Sequence, residues 1–214
     1  MKRSIAVLGA VLLFAMAAAA QDVPRGEVFL GFNYTRVNSA SDVPAFSANG
    51  GDGQFVLNLG KWIGAVADVA GVHNGNIGGY HLDTTLTTFM FGPRIPVRVS
   101  NRVIPYFQAL FGGVYGSTSV NVQVPANAVV LPPVYIPNQG NLQDAVSLRA
   151  ATQQTAFSMA FGGGLDIKIN KHASFRPIGL DYLMMRLQNL RTASDNNQHC
   201  LRYTTGINFT FGGQ

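Results

Sequence analysis

Polarity alternates residue by residue along most of this chain, and a sequence patterned with a period of two is committed to strands rather than helices. The last segment, Leu201–Phe211, shows it best: Tyr203, Thr205, Ile207, Phe209 and Phe211 alternate with Arg202, Thr204, Gly206, Asn208 and Thr210. Phe157–Ile169 repeats the pattern, with Phe157, Met159, Phe161, Leu165, Ile167 and Ile169 set against Ser158, Ala160, Gly162, Gly164, Asp166 and Lys168. Six further segments read the same way: Val28–Val37, Gly53–Leu59, Ile63–Val72, Leu82–Arg94, Ile104–Gly116 and Phe175–Leu187. Polar, Gly- or Pro-containing stretches separate all eight.

Residues 1–20 lie outside this pattern. Lys2 and Arg3, the apolar run Ile5–Met16 and the small residues Ala17–Ala20 read as an export signal removed before Gln21. The mature domain is then 21–214, and the chain leaves the cytoplasm. Cleavage takes two of the 15 basic side chains and leaves 13 against 10 acidic, too mild and too scattered a basicity for nucleic acid. A single cysteine, Cys200, cannot form an internal disulfide, so it reads as a small buried residue. Charged residues make up only 12% of the chain, and no stretch beyond the signal is apolar for the length of a helical membrane span.

Alternation also suits a soluble sandwich, so connector length decides. Gly60–Trp62, Ile95–Val103 and Asn170–Ser174 are short, whereas Asn38–Asp52, His73–His81, Ser117–Thr155 and Gln188–His199 are long or polar. Short turns at one end and long loops at the other are the asymmetry of an outer-membrane barrel. The expected fold is therefore all-β: an eight-stranded antiparallel up-and-down transmembrane β-barrel with short periplasmic turns and longer extracellular loops. Within the long loop of about 117–155, Ser119–Val124 continues the alternation and extends the fifth strand outward. The Pro-punctuated middle, VPANAVVLPPVYIPNQ, is expected to fold back onto the barrel rim or over its mouth, with a contact surface for a partner or another copy as the alternative.

Three stretches carry a family likeness: LNLGKWIGAVADVAG (Leu57–Gly71), TTFMFGPR (Thr87–Arg94) and RYTTGINFTFG (Arg202–Gly212). Together they resemble the small outer-membrane β-barrel proteins of the OmpA-like/OmpX-like superfamily. The resemblance implies an integral protein of the outer membrane of a Gram-negative-type bacterium, in contact with lipid and lipopolysaccharide. It also implies recognition of the C-terminal strand by the barrel-assembly machinery. One departure is that Phe211 is followed by Gly212, Gly213 and Gln214 instead of ending the chain.

An eight-stranded barrel is just wide enough for side chains to fill its interior. Charged residues on the inward face are costly unless paired, so Asp68, Arg94, Asp166, Lys168, Asp181 and Arg202 are expected to form an interior acid–base network. Tyr34, Trp62, Tyr106, Tyr115, Phe157, Tyr203 and Phe211 are the expected interfacial aromatics. Lipid A-modifying chemistry would need Ser, His and carboxylate together at the outer rim. His73, His81, His199, Asp83, Asp195, Ser117, Ser119 and Ser194 are of the right types but fall in no motif; His172 is at the wrong end. A metal site from His73, His81 and His199 has no support in spacing. The expectation is a non-enzymatic protein without cofactor, metal or nucleic-acid partner, in a structural or surface-interaction role. A narrow ion or solute pore is the first alternative and a lipid A-modifying enzyme the second. No loop carries a motif that names an extracellular partner.

Overall fold

In the computed structural model eight strands follow one another: β1 (Gly26–Asn38), β2 (Phe46–Asn58), β3 (Gly64–Asn74), β4 (Leu82–Pro96), β5 (Val103–Val124), β6 (Val146–Lys168), β7 (Ala173–Gln188) and β8 (Asp195–Phe211). The structure describes residues 24–38, 45–76, 82–98, 100, 102–124, 146–188 and 195–212. The proposed signal, 1–20, and the Pro-rich middle of the long loop lie outside them. Each strand pairs antiparallel with its sequence neighbour, and β1 pairs with β8 from Gly26–Phe211 to Asn38–His199. The sheet closes into a barrel, so no strand is left with an edge along the shared wall.

The strands alternate because one face meets lipid and the other the lumen. Leu30, Phe32, Phe55, Leu57, Phe89, Phe91, Phe107, Phe111, Phe161, Leu180, Ile207 and Phe209 are exposed large apolar side chains. In a water-soluble protein they would form an unusually large apolar surface; around a barrel they form its lipid belt. Three tight turns join β2 to β3, β4 to β5 and β6 to β7. They are held by bonds such as Leu59 N–H to Ile63 O (3.0 Å), Val97 N–H to Pro105 O (2.7 Å) and Ile169 N–H to Ala173 O (3.0 Å).

At the other end the strands run further than the alternation suggested. β2 begins at Phe46, inside the expected Asn38–Asp52 loop, and β8 begins at Asp195. Of the expected 117–155 loop, residues 117–124 belong to β5 and 146–155 to β6. At 22 and 23 residues these strands are about twice what crossing a membrane takes. The β6–β7 ladder ends at Ser158–Met185 and the β4–β5 ladder at Leu82–Val120, while β5 and β6 stay paired to Val124–Val146. A two-stranded ribbon therefore continues outward from the barrel.

One irregularity matters for the lumen. On β7, Arg176 to Gly179 is three steps, against two on β8 (Gly206 to Thr204). From Phe175 to Ile178 it is likewise three, against two on β6 (Ile167 to Leu165). One extra residue sits at this bulge, beside Pro177, and the inward face switches from even to odd positions across it. Ser174 and Arg176 are buried before it, Gly179, Asp181, Leu183, Met185 and Leu187 after it.

Candidate functional site

The lumen holds a continuous network of charge. Arg94 bonds Asp166, and Arg176 meets the same carboxylate through Nε to Oδ1 (2.7 Å) and Nη2 to Oδ2 (3.3 Å). Arg176 Nη1 donates to Gln54 Oε1 (2.8 Å), and Gln54 Nε2 donates to Asp68 Oδ2 (2.8 Å). Arg202 clamps Asp68 with Nη1 (2.9 Å) and Nη2 (3.2 Å), and Asp181 with Nε (3.0 Å) and Nη2 (2.7 Å). Gln108 Nε2 completes the chain on Asp181 Oδ1 (3.1 Å). Planar guanidinium groups suit this work, because each presents several donors in a fixed fork to more than one carboxylate.

Aromatic rings pack against the cations. Arg94 lies 3.6 Å from the centre of the Tyr106 ring, and Arg176 sits 4.0 Å from that of Phe29 and 4.6 Å from that of Tyr106. Room for these large groups comes from glycine: a Cβ at Gly164 would stand 2.7 Å from the Tyr106 hydroxyl, and one at Gly162 2.4 Å from Asp181 Oδ1. Of the four aspartates in the lumen, Asp52 is the exception. Neither of its carboxylate oxygens has a hydrogen-bond partner, and its nearest cation, Arg202 Nη1, is 3.9 Å away. Among the described residues, three arginines thus face four aspartates.

Outward of this layer most of the buried side chains are apolar, with Thr84, Thr88, Ser119 and Ser158 among them. Val37, Leu86, Met90, Leu110, Val114, Leu183, Met185, Leu187 and Cys200 pack in one cluster. In β4, β5, β7 and β8 they lie on the loop side of Arg94, Gln108, Asp181 and Arg202. Between the layers a cavity of about 10 Å³, lined in part by Asn33, Thr88, Met185 and Arg202, has about the space of one water molecule. Side chains therefore fill the described lumen, with paired charge toward the turns and mostly apolar groups toward the loops.

Five of the six residues expected inside, Asp68, Arg94, Asp166, Asp181 and Arg202, are buried together here. Lys168 is not. It has the inward parity of Asp166 but stands two residues further down, where β6 ends, and its side chain is exposed. Arg176, Asp52, Gln54 and Gln108 are the members the sequence reading did not place in the network. Asp52 ends a stretch that the connector pattern predicts as loop, and Arg176 has the wrong parity relative to Asp181 unless a bulge intervenes. Pro177 is the signal that could have revealed that bulge.

Among the expected interfacial aromatics, Tyr106 is a correction. It is buried in the lumen, where the alternation of β5 puts it with Gln108 and away from Phe107. Trp62, Tyr115, Phe157 and Phe211 are exposed, and Tyr34 is half-buried with its hydroxyl on Ser47 Oγ (2.9 Å). Tyr203 lies at the middle of β8 and donates to the Pro177 carbonyl at the bulge (2.8 Å).

The outer-rim histidines engage other partners: His73 Nδ1 meets Thr85 Oγ1 at 3.1 Å, and His199 Nδ1 meets the Tyr182 hydroxyl. His81 and Ser194 lie outside the described residues, as does the side chain of Asp195. His172 is exposed in the β6–β7 turn. Among the described residues no three His, Cys, Asp or Glu side chains are grouped to hold a metal ion.

The model of one family, described as "Outer membrane protein beta-barrel domain", matches residues 5–213. Among solved structures, Neisserial surface protein A aligns at a TM-score of 0.60 and 10% identity, over 87% of this chain and 97% of its own. Ail, the attachment invasion locus protein of Yersinia pestis, aligns at 0.52 and 14% identity, over 87% and 99%. At such identities the likeness is one of fold. No curated protein sequence matches the chain.

Proposed function

The chain belongs to the outer membrane protein beta-barrel domain family, an integral outer-membrane protein, and we propose that it serves there as a non-catalytic scaffold displaying a contact surface outside the cell. The observation that carries this reading is the pairing of a filled lumen with the protruding β5–β6 ribbon. Three arginines, four aspartates and an apolar layer occupy the space an ion path would need. Past the last β4–β5 pair, Leu82–Val120, the β5–β6 ladder continues from Asn121–Arg149 to Val124–Val146, paired to no third strand among the described residues. A ribbon projecting past the wall is suited to meeting a partner outside the cell. The name of one structural relative, the attachment invasion locus protein, describes such a role for that protein.

The test joins Ser119 directly to Ala151 through a short turn, which their register pairing permits. The shortened protein is expected to fold and to remain heat-modifiable on gels. Cells bearing it should lose adhesion or autoaggregation relative to cells bearing the full chain. Unchanged adhesion and aggregation, with steady single-channel currents from the intact protein in planar bilayers, would replace this reading with a pore.

A further inference from the structure

Among the described residues, cationic side chains gather at one end of the barrel. Six cationic residues ring the short-turn end: Arg25 before β1, Lys61 in the β2–β3 turn, Arg98 and Arg102 in the β4–β5 turn, and Lys168 and Lys171 at the β6–β7 turn. All are exposed except Arg98, which is half-buried. Of the described carboxylates outside the charge network, only Glu27 lies at this end. It turns toward Asn58 Nδ2 and Asn208 Nδ2, each at 2.7 Å. At the opposite rim the described charged side chains are Arg36, Arg186 and Asp83.

Three features of the ring bear on what it meets. It runs round the whole circumference, since all three tight turns and the β1–β8 seam contribute to it. Its cations stand beside exposed apolar side chains: Lys61 next to Trp62 (66% exposed), Lys168 next to Ile169 (66% exposed), and Arg25 beside the end of β8, where Phe211 is 56% exposed. And the turns are fixed. The Arg98 guanidinium bonds the Lys61 carbonyl, Thr210 Oγ1 donates to the Lys171 carbonyl at 3.0 Å, and Asn170 Oδ1 accepts from the backbone of His172 and Ala173 at 2.8 Å each. A docked macromolecule would engage one side of such a ring. An annulus of lipids engages all of it, tails against the apolar side chains and headgroups against the cations.

We propose that the periplasmic rim is a binding ring for anionic phospholipid headgroups, with Lys61, Arg102, Lys168 and Lys171 its principal contacts. Phosphatidylglycerol in the inner leaflet has the matching chemistry: a phosphate charge with no compensating amine, at the depth of the aromatic and apolar girdle.

The experiment reconstitutes the mature chain in phosphatidylcholine vesicles and adds spin-labelled phosphatidylglycerol or spin-labelled phosphatidylcholine, reading the motionally restricted fraction of each. A preference of roughly two- to five-fold for the anionic lipid is expected, falling as salt is raised. It should vanish in the variant combining Lys61→Gln, Arg102→Gln, Lys168→Gln and Lys171→Gln, and persist in the outer-rim variant Arg36→Gln with Arg186→Gln. Heat-modifiable migration verifies folding. Should the quadruple variant not fold, Lys61→Gln with Arg102→Gln and Lys168→Gln with Lys171→Gln are read separately, each for a partial loss. Equal binding of the two lipids overturns the proposal, as does a preference that survives in the quadruple variant or disappears equally in the outer-rim one. Co-sedimentation with isolated peptidoglycan without any lipid preference would assign the ring to the cell-wall polymer.

Discussion

Replacing Arg202 with methionine tests whether the lumen is held by paired charge or merely filled. The guanidinium makes two contacts each with Asp68 and Asp181, between 2.7 and 3.2 Å, and is the cation nearest Asp52. Methionine keeps most of the length and removes the charge. Asp68 is left with Gln54 and Asp181 with Gln108, one neutral donor side chain apiece. Breaking a buried ion pair on one side typically costs about 3–5 kcal/mol, because the surviving charge stays desolvated. The retained amide donors place this case within that range and not above it. The assay is urea unfolding in phosphatidylcholine vesicles, followed by fluorescence of Trp62, which is the single tryptophan and is exposed in the β2–β3 turn. The decisive comparison adds Asp68→Asn and Asp181→Asn to Arg202→Met. If the cost lies in orphaned carboxylates, the triple variant regains about 2 kcal/mol or more of the loss. A single variant costing under about 1 kcal/mol, or a triple variant no more stable than the single, would refute the argument.

The same assay checks three other expectations, and migration on gels checks a fourth. Asp52→Asn should be neutral or stabilising by about 1 kcal/mol, opposite in sign to Asp68→Asn, because Asp52 accepts no hydrogen bond where carboxylates already outnumber arginines. Gly162→Ala should cost about 1–3 kcal/mol, since the new methyl would stand 2.1 Å from the Leu180 carbonyl oxygen and the backbone must shift. Phe91→Arg, on the lipid face at 65% exposure, should cost about 2–4 kcal/mol if it lies at membrane mid-depth, whereas Phe211→Arg at the rim should cost about 0–1. Deleting Pro177 should leave a chain that folds and migrates heat-modifiably, because it removes the bulge residue and keeps Arg176 and Asp181 on one face. Deleting Leu183 from the regular stretch should abolish that migration, because Arg186 would turn inward.

These deletions also show where the sequence is legible and where it is not. Strand number and order, the closure implied by paired ends, and the segregation of turns from loops all follow from a period-two pattern and from connector lengths. Both are properties of single segments read one at a time. Asp68, Asp166 and Arg202 were legible as lumen residues for the same reason: each sits opposite a run of apolar neighbours. Tyr106 is equally legible by parity: it shares the face of Gln108, which its aromatic character alone does not show. The network itself is of another kind. Arg176 meets Gln54 across 122 residues and Arg202 meets Asp68 across 134, and such partnerships depend on the register of a closed sheet, which no single strand encodes. Arg176 adds a further obstacle. Its separation from Asp181 is odd, so strict alternation forbids both from facing inward, and only an extra residue between them restores the agreement. A lumen charge with the wrong parity beside a proline is therefore better read as a bulge than as a lipid-facing charge, because a desolvated unpaired guanidinium costs more than one unpaired rung of a ladder.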